Sequence, residues 1–318
     1  MTREAIRGGR PPARTAAPVS GATGTGPRRR PGGGRRGGGR LGVRAVGYGV
    51  LALGTVLYLG PFLIQIAGSF KTDPGAAQDP LGLIPDPATL QAWRKAFGLD
   101  TVLEMPIGRW LGNSVLVTVS ITLGRLLIDS LIGYALARLR FTGRSLINAL
   151  VIAVMAVPGV VLLIPKFLVL KQLGIFDSYA GMILPLLFDA VGILLMKTAF
   201  EQVPRELEEA ARIDGAGVFT TYWRVVLPLV RPALITVGIL SFQGSWNEFT
   251  HFLIATSDPA YETLNLGLAR LAAGPLGGSQ QFPLKLALAT LSTLPVLIVY
   301  IVFQRHFIRS QMSAGGKE

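Results

Sequence analysis

The chain has 318 residues, half of them hydrophobic and only 15% charged, with a mean hydropathy of +0.48. A soluble domain carries about 25% charged residues, so this composition points to an integral membrane protein. The absence of cysteine excludes disulfides, thiolate metal sites and cysteine nucleophiles, and no Gly-x4-Gly-Lys-Ser/Thr phosphate loop is present for ATP hydrolysis by the chain itself.

Most of the +13 net charge lies in residues 1–44, where eleven arginines face the single acid Glu4. Gly, Pro, Ala and Arg dominate this segment. It holds too few large apolar residues to offset the entropy of ordering, so it is expected to be a disordered basic tail. It also lacks the aromatic residues that stack bases, which favours a juxtamembrane anchor on the lipid bilayer and no nucleic-acid partner.

Crossing about 30 Å of hydrocarbon takes about 20 apolar residues. Six segments qualify, approximately Val46–Ala67, Trp110–Ala135, Leu146–Leu168, Tyr179–Leu195, Leu229–Ile254 with a polar interruption, and Leu286–Phe303. With six spans, 22 of the Lys and Arg residues in the tails and loops fall on one side and 7 on the other. The richer side is cytoplasmic, which predicts an all-α membrane protein with six transmembrane helices, both termini cytoplasmic, and a short cytoplasmic elbow between spans four and five. The external loop from Phe70 to Arg109 is expected to carry a short helix near Leu90–Phe97. Pro158, Pro165, Pro185 and Pro295 are expected to kink spans.

The elbow occupies residues 200–228. Pro204 suits a first helical turn, Glu206, Glu208 and Glu209 place negative charge near its positive end, and Gly215 is a C-terminal stop, predicting a helix over Pro204–Asp214. Leu207, Ala210, Ala211 and Asp214 fall at helical spacing and form a face small enough for close docking. A second short helix is expected over Val218–Val226, interrupted at Leu227-Pro228.

Some polar groups within the spans need partners. Arg125 and Asp129 are one turn apart near mid-span, and an i to i+4 ion pair relieves the cost of burying them. Asp189 is too far along its helix to reach Lys197 readily and is expected to face another helix or a wet cavity. Trp246, Asn247 and Glu248 interrupt the fifth span. They fit either a sugar-binding platform with hydrogen-bonding groups beside it or a polar kink packed against a partner. His251 and His306 lie too far apart in sequence to indicate a metal site, so neither a metal nor a cofactor is expected.

Glu209-Ala210-Ala211, three residues, Gly215, nine residues, Val225, one residue, then Leu227-Pro228 resembles the EAA loop of ABC-type import permeases. Asn113-Ser114, Tyr134-Ala135-Leu136-Ala137-Arg138, Val157-Pro158, Ile164-Pro165, Ile183-Leu184-Pro185, Gly244-Ser245-Trp246-Asn247-Glu248-Phe249 and Phe303-Gln304-Arg305 extend the resemblance to the sugar-uptake branch, the maltose-type and glycerol-phosphate-type permeases. It covers about residues 45–313, leaving 314–318 as a C-terminal tail. The resemblance implies a multi-pass subunit of a bacterial cell membrane, not an enzyme, that works with two ATPase subunits, a second homologous permease and an extracytoplasmic solute-binding protein. It further implies that Glu209, Ala210, Ala211, Asp214, Gly215, Leu227 and Pro228 carry the coupling to the ATPase, and that the solute is a carbohydrate. The competing reading is a stand-alone secondary transporter with Asp129 and Asp189 as coupling-ion candidates, although no inverted repeat supports it.

Overall fold

Long apolar runs have only one way to satisfy their backbone in lipid, as helices. In the computed structural model of the chain, all regular structure among the described residues, 38–99, 105–274 and 281–315, is helical. Side chains are described within these except at 38–43, 45 and 305–315. The chain divides into two compact units, residues 1–54 and 55–318. In the first, the described residues 38–54 are helical. Residues 38–44, expected to be unstructured, are therefore already in helix, since each residue added to an existing helix gains a backbone hydrogen bond. The rest of the basic tail lies outside the described residues.

Helix α1 (Gly38–Gly68) contains Pro61 and is apolar enough from Val46 onward to cross a membrane. Two short helices, α2 (Asp73–Gln78) and α3 (Gln91–Ala96), occupy the following loop, the second matching the expected position. Next comes α4 (Ile107–Arg138), long and apolar enough to span without a break. The helices α5 (Arg144–Met155) and α6 (Gly159–Gln172) meet at 101°, and α7 (Tyr179–Leu186) and α8 (Ala190–Glu201) at 42°. After α9 (Arg205–Ile213), α10 (Val218–Leu229) meets α11 (Arg231–Trp246) at 83°. Then follow α12 (Thr250–Ala255), α13 (Leu264–Ala273) and α14 (Phe282–Gly315), which contains Pro295. Three unbroken helices and up to three bent pairs are thus long and apolar enough to cross a membrane.

The bends sit where the sequence removes backbone donors. Pro158 immediately precedes α6 in extended geometry, and Pro185 lies in the last turn of α7, each interrupting the hydrogen-bond ladder. The fifth apolar segment is interrupted where its polar residues fall: its helix ends at Trp246, and Thr250–Ala255 forms a separate helix beyond Asn247.

The break between α7 and α8 is fastened from α4, and here the expected Arg125–Asp129 ion pair is not made. Arg125 Nε donates to the carbonyl of Leu186 at 2.7 Å, and Asp129 accepts the amide N–H of Asp189 at 3.0 Å. The two side chains serve backbone groups that the break leaves without helical partners, which in hydrocarbon have no water to turn to. Asp189 in turn caps α8 by accepting from the amide of Gly192 at 3.0 Å, while Lys197 pairs with Glu201 at 3.2 Å. Close approach of α4 and α8 depends on Gly192 and Gly133: a Cβ on the first would fall 2.3 Å from an oxygen of Asp129, and on the second 2.9 Å from the amide nitrogen of Lys197.

Candidate functional site

The elbow is built from its caps outward. Pro204, in extended geometry, precedes α9; Glu206 and Glu208 sit in its first turn and Arg212 in its last. Gly215 adopts φ +83°, and its amide bonds the carbonyl of Arg212 at 3.0 Å while that of Ala216 bonds Ala211 at 2.9 Å. This paired, left-handed termination is a Schellman motif, which glycine allows without a Cβ penalty. The turn aims the chain into α10.

The expected interruption at Leu227-Pro228 is not found there. Residues 221–226 form a π-helical turn, Leu227–Leu229 continue as α-helix, and the chain breaks at Val230 before α11. Pro228 would clash with the carbonyl one α-turn earlier; a widened turn just ahead of it accommodates the ring.

The faces of α9 also differ from expectation. Ala211 is buried, while Leu207, Ala210 and Asp214 are exposed as the docking face requires. Helical rotation places Ala211 with Glu208 on the inner side and adds Ile213, which is 87% exposed, to the outer one. Phe219 (72%) and Trp223 (51%) are exposed on α10. Glu209 is exposed on α9.

Beneath these exposed side chains lie pairings that the sequence reading did not identify. The side chains of Arg138, the last residue of α4, and Glu208 are 4% and 6% exposed and lie 3.0 Å apart. The Nε–H does not point straight at the carboxylate oxygen, so this is a close ion pair rather than a linear hydrogen bond. Arg138 also donates through Nη2 to the carbonyls of Phe200 and Val203 at the end of α8. Arg140, Arg205, Glu209 and Arg212 join the pair around a cavity of about 400 Å³. On the other limb, Tyr222 is buried, shares a 2.7 Å hydrogen bond with Ser130 of α4, and packs against Tyr134 and Phe200 at ring distances of 5.1 and 6.2 Å. The available signal was Arg138 closing an apolar helix and Glu208 spaced three residues from Ala211, a charge on the inner face of a small helix.

The candidate path residues do not form a platform. Trp246 is 3% exposed, stacks on Phe242 at 6.0 Å and donates to the carbonyl of Ser292 at 2.9 Å. Its ring is thus a packed anchor without a free face. Asn247 is exposed but bonds back to the carbonyl of Gln243, and Glu248 accepts the amide of His251 at 2.7 Å, capping α12. Asp189 is occupied as a cap. Among the described residues no three His, Asp or Glu side chains gather as a metal site.

At the opposite end of α4, Asn113 donates to the carbonyls of Ala260 and Glu262 and accepts from the Tyr179 hydroxyl, while Ser114 accepts the amide of Leu264. Asp177, at φ +55°, accepts from Thr256 Oγ1, the amides of Ser257 and Asp258, and Ser257 Oγ. Slight burial works to raise its pKa, but these bonds, the Asp258 and Ser257 amides foremost, hold the carboxyl below the usual carboxylate range. A depressed folded pKa gives stability that is present above the unfolded value of about 3.9 and lost as pH falls through the folded value. Hydrogen exchange at the Ser257 and Asp258 amides is therefore expected to be flat from neutral pH down to about 4, after correction for intrinsic rates, and to lose protection below it; Asp177→Asn should remove that acid step.

Asn113 and Arg138 lie about 37 Å apart along α4 at 1.5 Å per residue, a little over the thickness of a bilayer core. One spanning helix thus joins a loop-holding end to an elbow-holding end, as in a helical transport subunit. The fold is that of the crystal structure of a bacterial ABC transporter involved in the import of the acidic polysaccharide alginate, at a TM-score of 0.74 and 24% identity over 86% of this chain and 98% of that one.

Residues 129–312 match the model of the binding-protein-dependent transport system inner membrane component. Protein LplC of Bacillus subtilis is 35% identical over 281 residues, covering 84% of this chain and 93% of LplC. The sn-glycerol-3-phosphate transport system permease protein UgpE of Yersinia pestis is 31% identical, covering 82% and 92%. The polygalacturonan/rhamnogalacturonan transport system permease protein YtcP of Bacillus subtilis is 32% identical, covering 85% and 96%. The chain belongs to the binding-protein-dependent transport system inner membrane components. It is a permease subunit of an ABC-type importer and not an enzyme, and the family implies an ATPase, a solute-binding protein and a partner permease.

Proposed function

We propose that this permease translocates a carbohydrate delivered by an extracytoplasmic binding protein, in a complex with two ATPase subunits and a second, homologous permease. Residues 45–313 form its transmembrane domain, with both termini and the elbow in the cytoplasm, between a basic tail over 1–44 and a short tail over 314–318. The observation that carries the reading is the elbow: an exposed surface of Leu207, Ala210, Ile213, Phe219 and Trp223, held on a left-handed turn at Gly215 and buried on its inner side. Exposed apolar side chains next in sequence to the exposed acids Glu209 and Asp214 are what a protein partner covers. The carbohydrate class is supported by the transport of polygalacturonan or rhamnogalacturonan for which YtcP is named and by the alginate import of the structural neighbour. With Trp246 packed and Asp189 and Glu248 half-buried as caps, Asn247 is the exposed residue among the four path candidates.

The ATPase drives transport by binding the elbow differently in its two nucleotide states, the differential interaction that a conformational shift requires. Glu209→Lys is expected to leave membrane insertion intact and to weaken ATPase capture about tenfold, a loss of roughly 1.4 kcal/mol, with uptake abolished. Unchanged uptake would remove Glu209 from the mechanism.

A further inference from the structure

We propose that α4 is the span that the elbow drives, because the elbow grips it at two points. This rests on the importer reading above. The first grip is the buried Arg138–Glu208 pair, which fixes α9 to the end of α4. Through its Nη2, Arg138 also holds the carbonyls of Phe200 and Val203, so the end of α8 moves with this junction. The second grip is the Tyr222–Ser130 hydrogen bond at 2.7 Å, which fixes α10 to α4 about 12 Å further along the helix, at 1.5 Å per residue.

A helix held at one point swivels about it; a helix held at two points separated along its axis must tilt with the body that holds it. The two limbs are themselves fixed to each other by the Gly215 turn, so displacement of the elbow becomes tilt of α4. An apolar cavity of about 530 Å³ opens between these elements, lined by Tyr222 and Leu227 of α10, Leu126 and Ser130 of α4, and Gly238 of α11 and Val299 of α14. The elbow and the stretch of α4 it grips therefore have space beside them in which to shift together against α11 and α14. Arg138, Glu208, Ser130 and Tyr222 are positioning residues in this device: they act through α4 rather than on the solute.

The test uses the full complex, with cysteine-free ATPase, sister-permease and binding-protein partners, in lipid nanodiscs. The chain has no cysteine, so cysteines introduced at the exposed Leu116 of α4 and Ile298 of α14 are the only labelling sites on it. Spin-label distances are recorded without nucleotide and with ATP plus vanadate, next to the rate of ATP hydrolysis. Glu208→Gln and Tyr222→Phe keep side-chain volume, and Glu208→Gln keeps an acceptor near Arg138; Ser130→Ala severs the second grip from the α4 side. The native complex should shift its α4–α14 distance with ATP. The Glu208→Gln/Tyr222→Phe variant should hydrolyse ATP yet lose the shift, with coupling between nucleotide and α4 falling about tenfold, and Ser130→Ala with Glu208→Gln should reproduce this. A native-like shift in both double variants overturns the two-point grip while leaving the importer reading in place. Failure of the native chain to assemble with any ATPase overturns both.

Discussion

Arg138→Leu is expected to destabilise the chain by about 3–5 kcal/mol, the range seen when one partner of a buried ion pair is removed and the other is left uncompensated. Both side chains are almost wholly buried and lie 3.0 Å apart, and Arg138 additionally satisfies two backbone carbonyls at the end of α8. The substitution leaves Glu208 charged against an apolar neighbour and strands Phe200 and Val203. Replacing both partners, Arg138→Leu with Glu208→Leu, should recover the part of the loss that comes from the uncompensated charge, because a well-packed apolar pair substitutes for an ion pair at little net cost, and should leave the cost of the two stranded carbonyls. Urea unfolding of the detergent-solubilised chain measures this. A single variant within about 1 kcal/mol of the native protein would place the pair among the weak surface bridges, and the junction would then need another explanation.

Gly215→Pro carries the second large effect. The residue sits at φ +83° and its amide donates to Arg212, whereas proline fixes φ near −65° and has no N–H. No atom lies within 4 Å of where a Cβ at 215 would stand, so the damage comes from backbone conformation and not from crowding. A cost of about 3 kcal/mol or more is expected at the turn, with the outer face of α9 no longer continuous with α10. Gly215→Ala, which strains the same φ by about 1–2 kcal/mol, should fall between. Limited proteolysis in the Arg212–Phe219 stretch, with full-length insertion verified in parallel, reads the effect; native-like resistance of the proline variant would contradict the turn as described.

Much of this was legible in the sequence because it depends on local chemistry. The long apolar runs gave α1, α4 and α14, and proline with the charges of the first turn and Gly215 gave α9 and its stop. What escaped depends on which face of a helix meets which neighbour. Ala211 looks outward by spacing with Leu207 and Asp214, but it shares a face with Glu208, whose partner Arg138 is remote in sequence. Arg125 and Asp129 have the spacing of an ion pair, yet the backbone groups exposed at the Leu186–Asp189 break offer each a partner on another span. Trp246 with Asn247 has the composition of a sugar platform; only the packing of Phe242 and the carbonyl of Ser292 shows that its ring is already covered. Pro228 alone would end a helix, and the π turn that lets it continue leaves no mark in residue type.

The proposed docking site of the ATPase is the outer face of the elbow. Photo-crosslinking residues placed singly at Ile213, Phe219 and Ala211 in the assembled complex test it most directly, since the first two are exposed and the third is buried. Adducts with the ATPase from positions 213 and 219, and none from 211, are the predicted result. An assembled complex in which neither 213 nor 219 reaches the ATPase would contradict the account.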